Sequence, residues 1–236
     1  MSKEHYDNSF IDSEVKVWLD STTEAGLCFK KWHADYVVEG LLERHEGDVI
    51  IAEGKPFLLT KIGKACFSEC EIEGRPCKLA TGVAFGKPVA IVKAVCLSEK
   101  KGVQKHAVPI VLLKEEWGID GDAHAGKWHR QVSLLDKESI DKMQESIDES
   151  GLKLKLEDGA FGENIVTLGL DLSSLKVGDR ITIGEALLEL TQIGKECHSD
   201  CAIKEAVGMC IMPKKGLFFR VLKGAEVKAG DIIEVI

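Results

Sequence analysis

The residues best suited to chemistry lie in one short run, Lys195-Glu196-Cys197-His198-Ser199-Asp200-Cys201, just past a stretch that alternates like a β-strand. A strand end leading into a loop presents side chains from a rigid base. A thiolate attacks sulfur and binds soft metals. Lys195 and His198 favour the thiolate of Cys197, while Glu196 and Asp200 oppose it, so local charge alone leaves its reactivity open. Cys201 is a second thiol, four residues on. Cys210 adds a third sulfur, and Cys197, Cys201 and Cys210 with His198 could hold zinc or an iron–sulfur cluster. Their C-x3-C-x8-C spacing lacks the paired C-x2-C of a strong zinc motif. The competing reading of each is a small buried apolar residue. It suits Cys210 best, which sits in the apolar run Gly208-Met209-Cys210-Ile211-Met212-Pro213.

A second run, Gly121-Asp122-Ala123-His124-Ala125-Gly126-Lys127-Trp128-His129-Arg130-Gln131, packs glycines, histidines and cations ahead of a strand over Val132 to Leu135. Glycines let backbone approach a ligand, and cations beside them suit a phosphate. The plainer alternative is a polar turn with Trp128 tucked against the protein. A third run, Phe161-Gly162-Glu163-Asn164-Ile165, either lines a pocket mouth or caps a turn through Asn164. No G-x-S-x-G, P-loop or G-x-G-x-x-G occurs.

The elements that must carry these runs occur twice. Ile62-Gly63-Lys64-Ala65-Cys66-Phe67-Ser68-Glu69-Cys70 matches Ile193-Gly194-Lys195-Glu196-Cys197-His198-Ser199-Asp200-Cys201. Upstream, Gly47-Asp48 falls on Gly178-Asp179 and Thr60 on Thr191; downstream, Cys77 lies near the place of Cys210. Cys66, Cys70 and Cys77 thereby echo the later thiol trio. The spacing predicts strands over Arg180 to Ile183 and Ala186 to Ile193, joined by a short turn at Gly184-Glu185. Further strands are expected at Val89 to Val95, Val108 to Leu113 and Asp231 to Ile236. One long helix is predicted over Lys137 to Glu149, capped by Asp136, with Ile140, Met143 and Ile147 on one face and Gly151 past its end. A shorter helix is predicted over Ala34 to Arg44. The expected fold is mainly β with a few helices, a compact barrel or sandwich: residues 1–87 as a partial, smaller β-rich module and 88–236 as the complete one.

At 44% hydrophobic and 30% charged, the 236-residue chain has the composition of a folded protein. Its net charge of −8 argues against binding nucleic acid, which needs clustered cations. The first ten residues contain no apolar core of a signal peptide, and no window nears the ~18 apolar residues of a membrane span. The chain is therefore expected to be cytoplasmic and away from membranes. Its eight cysteines are then thiols, metal ligands or redox groups of a reducing compartment rather than a disulfide framework.

Taken together, Gly121-Asp122-Ala123-His124-Ala125-Gly126, Arg130-Gln131-Val132-Ser133-Leu134-Leu135, Phe161-Gly162-Glu163-Asn164 and Thr191-Gln192-Ile193-Gly194-Lys195-Glu196-Cys197 resemble the MOSC domain. This module ends molybdenum cofactor sulfurases, occurs in molybdenum-containing reductases of N-hydroxylated compounds, and exists as small free-standing bacterial and archaeal proteins. The resemblance covers about Pro88 to Ile236, and residues 1–87 resemble a shortened half of the same module. It implies a β-barrel in which Cys197 matches the family's cysteine, a molybdenum ligand in the reductases and a persulfide or pterin site in the sulfurases. Basic residues that contact the cofactor in larger members lie in extensions not found here, and the pyridoxal-phosphate domain of the sulfurases is absent, so no desulfurase activity is expected.

The resemblance implies a molybdenum-cofactor-associated sulfur carrier or molybdopterin-binding accessory protein. Cys197 is its persulfide carrier or molybdenum ligand, and Cys201 the resolving thiol. Asp122, His124, Arg130, Asn164 and Lys195 are the cofactor-binding candidates, with Lys195, His124 and Arg130 supplying positive charge. A cysteine desulfurase or molybdoenzyme maturation proteins are the partners implied. The alternatives are a small molybdenum-dependent reductase of N-hydroxylated compounds, or an iron–sulfur or zinc module at Cys197, Cys201 and Cys210.

Overall fold

Strand-forming alternation closes on itself in the second half of the chain. The computed structural model describes residues 15–18, 36–38, 44–62, 66–72, 75–196 and 210–236. By contacts the chain divides into two units, Met1–Val89 and Ala90–Ile236.

The first unit contains β1 (Val15–Trp18), β2 (Tyr36–Val38), β3 (Val49–Ala52), β4 (Lys55–Ile62), β5 (Cys66–Ile72) and β6 (Arg75–Pro88). They form one sheet in the order β2-β1-β6-β4-β3, with β5 also paired to β6. Only β1 and β6 run parallel. Among the described residues its core is small: Ile50, Ala52, Phe57, Leu59 and Ala84. The helix expected over Ala34 to Arg44 is not formed at Tyr36–Val38, which pair antiparallel with Val15–Val17 instead. An aromatic and two β-branched residues fit a pleated surface better than a helix, and the partner strand decides it.

The second unit runs β7 (Ala90–Leu97), β8 (His106–Val108), β9 (Ile110–Lys114), β10 (Gly118–Ile119), β11 (Val132–Asp136), α1 (Lys137–Glu149), β12 (Ile165–Leu168), β13 (Arg180–Ile183), β14 (Ala186–Ile193), α2 (Met212–Lys215), β15 (Leu217–Lys223), β16 (Glu226–Lys228) and β17 (Ile232–Val235). Seven of these strands close into a barrel, β7-β12-β11-β15-β14-β13-β17 and back to β7. The fold is thus mainly β, with a helix on its flank. Around the ring all neighbours are antiparallel except β11 and β12, and α1 provides the crossover that a parallel pair needs. The stretch expected as one strand from Val108 to Leu113 is split at Pro109, which has no N–H to donate. β8 stays on β7, while β9 pairs with β10 and β16.

The strands are buried on both faces where α1 covers them. Val92, Val95, Leu134, Ile165, Ile181, Ile183, Leu188, Leu190 and Phe219 belong to the main core. Ala94, Cys96, Leu135, Val166 and Phe218 join the cluster that seats Ile140, Met143 and Ile147 of the helix. Asp136 caps the helix by accepting from Ser139 N at 3.0 Å and Ser139 Oγ at 2.7 Å.

One local arrangement occurs in both units. In the first, Gly47 N donates to Leu59 O and Leu59 N to Asp48 O, each at 2.8 Å; in the second, Gly178 N donates to Leu190 O and Leu190 N to Asp179 O, also at 2.8 Å. The β3–β4 and β13–β14 registers match residue for residue, Val49↔Leu58 against Arg180↔Glu189. The β4–β6 register shifts between Leu59 and Lys61, and the β14–β15 register between Leu190 and Gln192.

The turn before β12 holds a buried carboxylate. Glu163 accepts from Gly159 N at 2.7 Å and Phe161 N at 3.0 Å. Burial pushes its carboxyl up to about 7, against those two N–H groups, which favour the charge.

This packing sets two expected outcomes. Ile147→Ala is expected to destabilise the full chain by about 2–5 kcal/mol, through lost burial and a cavity, and Asp136→Ala by about 1 kcal/mol, through a lost cap. Urea unfolding checks the order, and a smaller loss for Ile147→Ala would contradict the seating of α1. For Glu163, the folded value lies above the ordinary 4.5, so its contribution is fully present below that pH and is lost as pH rises to about 7. The slope is at most about 1.4 kcal/mol per pH unit. Stability measured across that window should lose this component in Glu163→Gln; an unchanged slope would assign the carboxylate an ordinary titration.

Candidate functional site

The Gly121–Gln131 run is held in place by one buried carboxylate. Asp122 accepts from His124 N at 2.9 Å through Oδ1 and from Ser98 N at 3.1 Å through Oδ2, which also takes the ammonium of Lys105. Both side chains of that ion pair are almost fully buried, Lys105 at 2% exposure. Burial opposes the charge on Asp122. Hydrogen bonds from His124 and Lys105, with the ammonium beside it, outweigh this and hold the carboxyl well below the usual carboxylate range. Burial lowers the pKa of Lys105 in turn, against Asp122, which raises it. Lys105 is fixed through its backbone as well: its N–H donates to Gly159 O at 3.0 Å. The approach needs glycine at 159, where φ is +92° and a Cβ would lie 2.4 Å from Lys105 O.

His124 stands over this pair, its Nδ1 3.6 Å from Asp122 Oδ1 and 3.5 Å from Lys105 Nζ, while its side chain remains 37% exposed. His124 O accepts from Trp128 Nε1 at 2.9 Å. Trp128 is not tucked away; it is 38% exposed and carries the guanidinium of Arg130 4.8 Å from its ring centroid. Arg130 also lies 5.8 Å from the centroid of Phe218, and Lys195 Nζ lies 5.9 Å from that same ring. The two cations thus share one aromatic floor. Arg130 Nε is buried and has no acceptor among the described residues.

This floor is tied to the end of β14. His129 Nε2 and Gln192 Oε1 are 3.0 Å apart, and Gln192 Nε2 donates to Gly194 O at 2.7 Å. Thr191 Oγ1 bonds His129 O and, at 2.9 Å, Phe218 O. Gly194 N then donates to Gly216 O at 2.7 Å. Only glycine fits at 194: φ is +67°, and a Cβ would stand 2.2 Å from Pro213 O. The end of β14 is thereby held against the α2 segment. Cys197 and Cys201 lie outside the described residues.

The sequence candidates therefore separate by place. Arg130 and Lys195 meet on Phe218, and His124 reaches the same surface through Trp128. Asp122 works from beneath as an anchor. Asn164 is buried, its Oδ1 accepting from Ser133 N at 3.2 Å and Ser133 Oγ at 3.0 Å, its Nδ2 donating to Cys96 O at 3.2 Å. Every one of those bonds ties β12 to β11 and β7. Cys210 packs against the helix-side cluster. Among the described residues no three His, Cys, Asp or Glu side chains are grouped to hold a metal ion. Cys96 is a poor nucleophile, since burial first, and then Glu163 and Asp158, push its thiol up to about 12. Lys105 and Phe218 escape sequence reasoning: Lys105 meets Asp122 from a separate loop, and Phe218 meets Arg130 and Lys195 through the pairing of β15 with β11 and β14. The Trp128-x-Arg130 spacing was the one local signal of a stacked cation.

No curated protein matches the chain at a significant level. Among solved structures, the YuaD protein of Bacillus subtilis is 21% identical, covering 62% of this chain and 95% of its own, with a TM-score of 0.50. YiiM of Escherichia coli is 23% identical, covering 63% and 70%, at TM-score 0.48. YiiM of Geobacillus stearothermophilus is 21% identical, covering 62% and 75%, at 0.49. The first of these likenesses speaks for the barrel fold alone. No helix among the described residues is long and apolar enough to cross a membrane. The model of the MOSC domain matches residues 121–234: from the start of the Asp122 loop to the last strand of the barrel, this stretch is a MOSC domain.

Proposed function

We propose that the barrel unit is a molybdenum-cofactor-associated sulfur carrier, with Cys197 as the sulfur-bearing thiol. The observation that carries this reading is the pair of cations on Phe218. Lys195 is two residues from Cys197, no more than about 7 Å between Cα atoms at 3.8 Å per trans step, and Arg130 shares its ring. Positive charge at that distance favours a thiolate. The Nε donor of Arg130, without an acceptor among the described residues, also fits an anionic group such as the cofactor's phosphate, with Lys195 on the same ring and His124 joined to Trp128. Association of the family with that cofactor supports the same reading. The cofactor, when bound, supplies a metal centre able to take a sulfur ligand.

The chain's own step is thiol chemistry. The Cys197 thiolate attacks the outer sulfur of a donor persulfide, an S–S bond forms to Cys197 and the donor's S–S bond breaks, releasing the donor as thiolate. Cys201 can reverse the loading by attacking Cys197 Sγ and expelling hydrosulfide, which leaves a Cys197–Cys201 disulfide. A cysteine desulfurase is the chemically matching donor and a molybdoenzyme maturation protein the matching acceptor. The shared turn at Gly47-Asp48 and Gly178-Asp179, with shared strand registers, supports a duplication origin for the two units.

Incubating the full chain with a persulfide donor and reading intact mass tests this. Wild type should gain one sulfur atom that Cys197→Ala does not; equal loading of the two removes Cys197 from the proposal. Lys195→Ala should load about threefold more slowly near neutral pH, a rise of up to one pKa unit being partly offset by greater intrinsic nucleophilicity. Arg130→Ala should weaken retention of the pterin cofactor about tenfold, the value of one charge-assisted hydrogen bond, followed by fluorescence of the released, oxidised pterin. Undiminished retention would detach the cation pair from the cofactor.

A further inference from the structure

The hairpin of the first unit juxtaposes two cysteines that the barrel site does not use. In the antiparallel pair β5–β6, Cys70 is the register partner of Cys77. The connection pins this register: Ile72 is opposite Arg75, with only Glu73 and Gly74 between them, and so short a link leaves little room for slippage. Directly opposed residues of an antiparallel pair have Cα atoms about 4.5 or 5.5 Å apart, according to their hydrogen bonding. A disulfide spans Cα separations of about 4.4–6.8 Å, so either case admits one.

Cys66 is excluded from the pair by the same geometry. It shares a strand face with Cys70 but lies four residues earlier, about 13 Å away at roughly 3.3 Å per residue, and its own partner is Thr81. Sulfur ligands of one tetrahedral ion with bonds of about 2.3 Å lie within about 4 Å of each other. The expectation that Cys66, Cys70 and Cys77 echo a three-thiol metal site therefore fails on the register, whereas a two-thiol site remains.

We propose that Cys70 and Cys77 form a cross-strand dithiol that is reversibly oxidised to a disulfide by low-molecular-weight disulfides such as glutathione disulfide. The Cys70 thiolate attacks one glutathione sulfur, the S–S bond of glutathione disulfide breaks, and one glutathione leaves as thiolate. Cys77 then attacks Cys70 Sγ in the mixed disulfide and expels the second. The hairpin loses two electrons and two protons, and two reduced glutathiones are formed. Arg75 shares the face of Cys77 two residues away, and its charge favours the thiolate that the second step needs. The loop so closed is short, so the cross-link adds little chain-entropy stabilisation. That is the behaviour of a switch rather than of a structural bridge. The pair is independent of the sulfur chemistry proposed for Cys197.

The full chain, equilibrated in glutathione buffers of rising oxidised fraction, acid-quenched, alkylated and digested, supplies the test. A peptide joining Cys70 to Cys77 should appear, disappear with dithiothreitol, and exceed any Cys66–Cys70 or Cys66–Cys77 species about tenfold or more, given the effective concentration set by the register. Cys77→Ser should leave Cys70 as a stable glutathione mixed disulfide. Full alkylation of Cys70 and Cys77 in the most oxidising buffer, or dominance of species containing Cys66, would overturn the proposal. Both results are read on wild type and need no variant to fold.

Discussion

Burying an ionised carboxylate is costly unless its lone pairs and its charge are answered, and at Asp122 they are answered from three directions. Lys105 supplies the countercharge, and Ser98 and His124 supply backbone N–H groups. Removing any one partner would strand the others in a low-dielectric interior, so the loop from Gly121 to Gln131 has one seat. Lys105 is itself fixed by the Gly159 contact, and Gly159 by Glu163. The loop that carries His124, Trp128 and Arg130 is thus positioned from beneath, by buried polar groups.

On the outside, the organising element is a single aromatic ring. Phe218 lies in β15 and packs with the helix-side cluster on one side, while Arg130 and Lys195 approach it from two different loops. Two cations would repel each other in a bare pocket. Each lies within cation–π reach of the ring, whose attraction offsets part of that repulsion. The Gly194–Pro213 approach keeps Lys195 at this spot, since a side chain at position 194 would collide with the α2 segment.

Much of this was legible locally. The α1 boundaries, its Asp136 cap and its buried face of Ile140, Met143 and Ile147 are readable in the sequence because all the signals lie within one helix. The β13–β14 hairpin was readable for the same reason. Tyr36–Val38 was misread because a short apolar stretch has no period of its own and takes the structure of its partner. Closure through β7 and β12 was invisible, being a pairing between residues some seventy positions apart. At the site, residue types marked Arg130, His124 and Lys195, but their meeting on Phe218 depends on strand registers that no spacing encodes. Asp122 and Asn164 were named as cofactor-binding candidates from their runs; what no spacing shows is their internal partners, Ser98, Lys105 and His124 for Asp122 and Ser133 and Cys96 for Asn164.

The matching halves then pose a problem of divergence that packing answers. Gly47-Asp48 and Gly178-Asp179 make the same turn, and the strands after them keep the same register. Beyond those strands the surroundings part. After β14 the chain meets Phe218, with Arg130 of the Asp122 loop on the same ring. In the first unit, after β4, Cys66–Ile72 runs as a strand bonded along its length to β6, so its cysteines are spaced by the pleat and met by partners across the ladder. One cysteine motif is thereby set in two chemical environments. The first copy is set in a strand ladder, where directly opposed positions bring two backbones within disulfide range; the described end of the second copy, Gly194–Lys195, is set against the α2 segment and Phe218. The chemistry open to each copy is decided by what the neighbouring strand or loop brings to it.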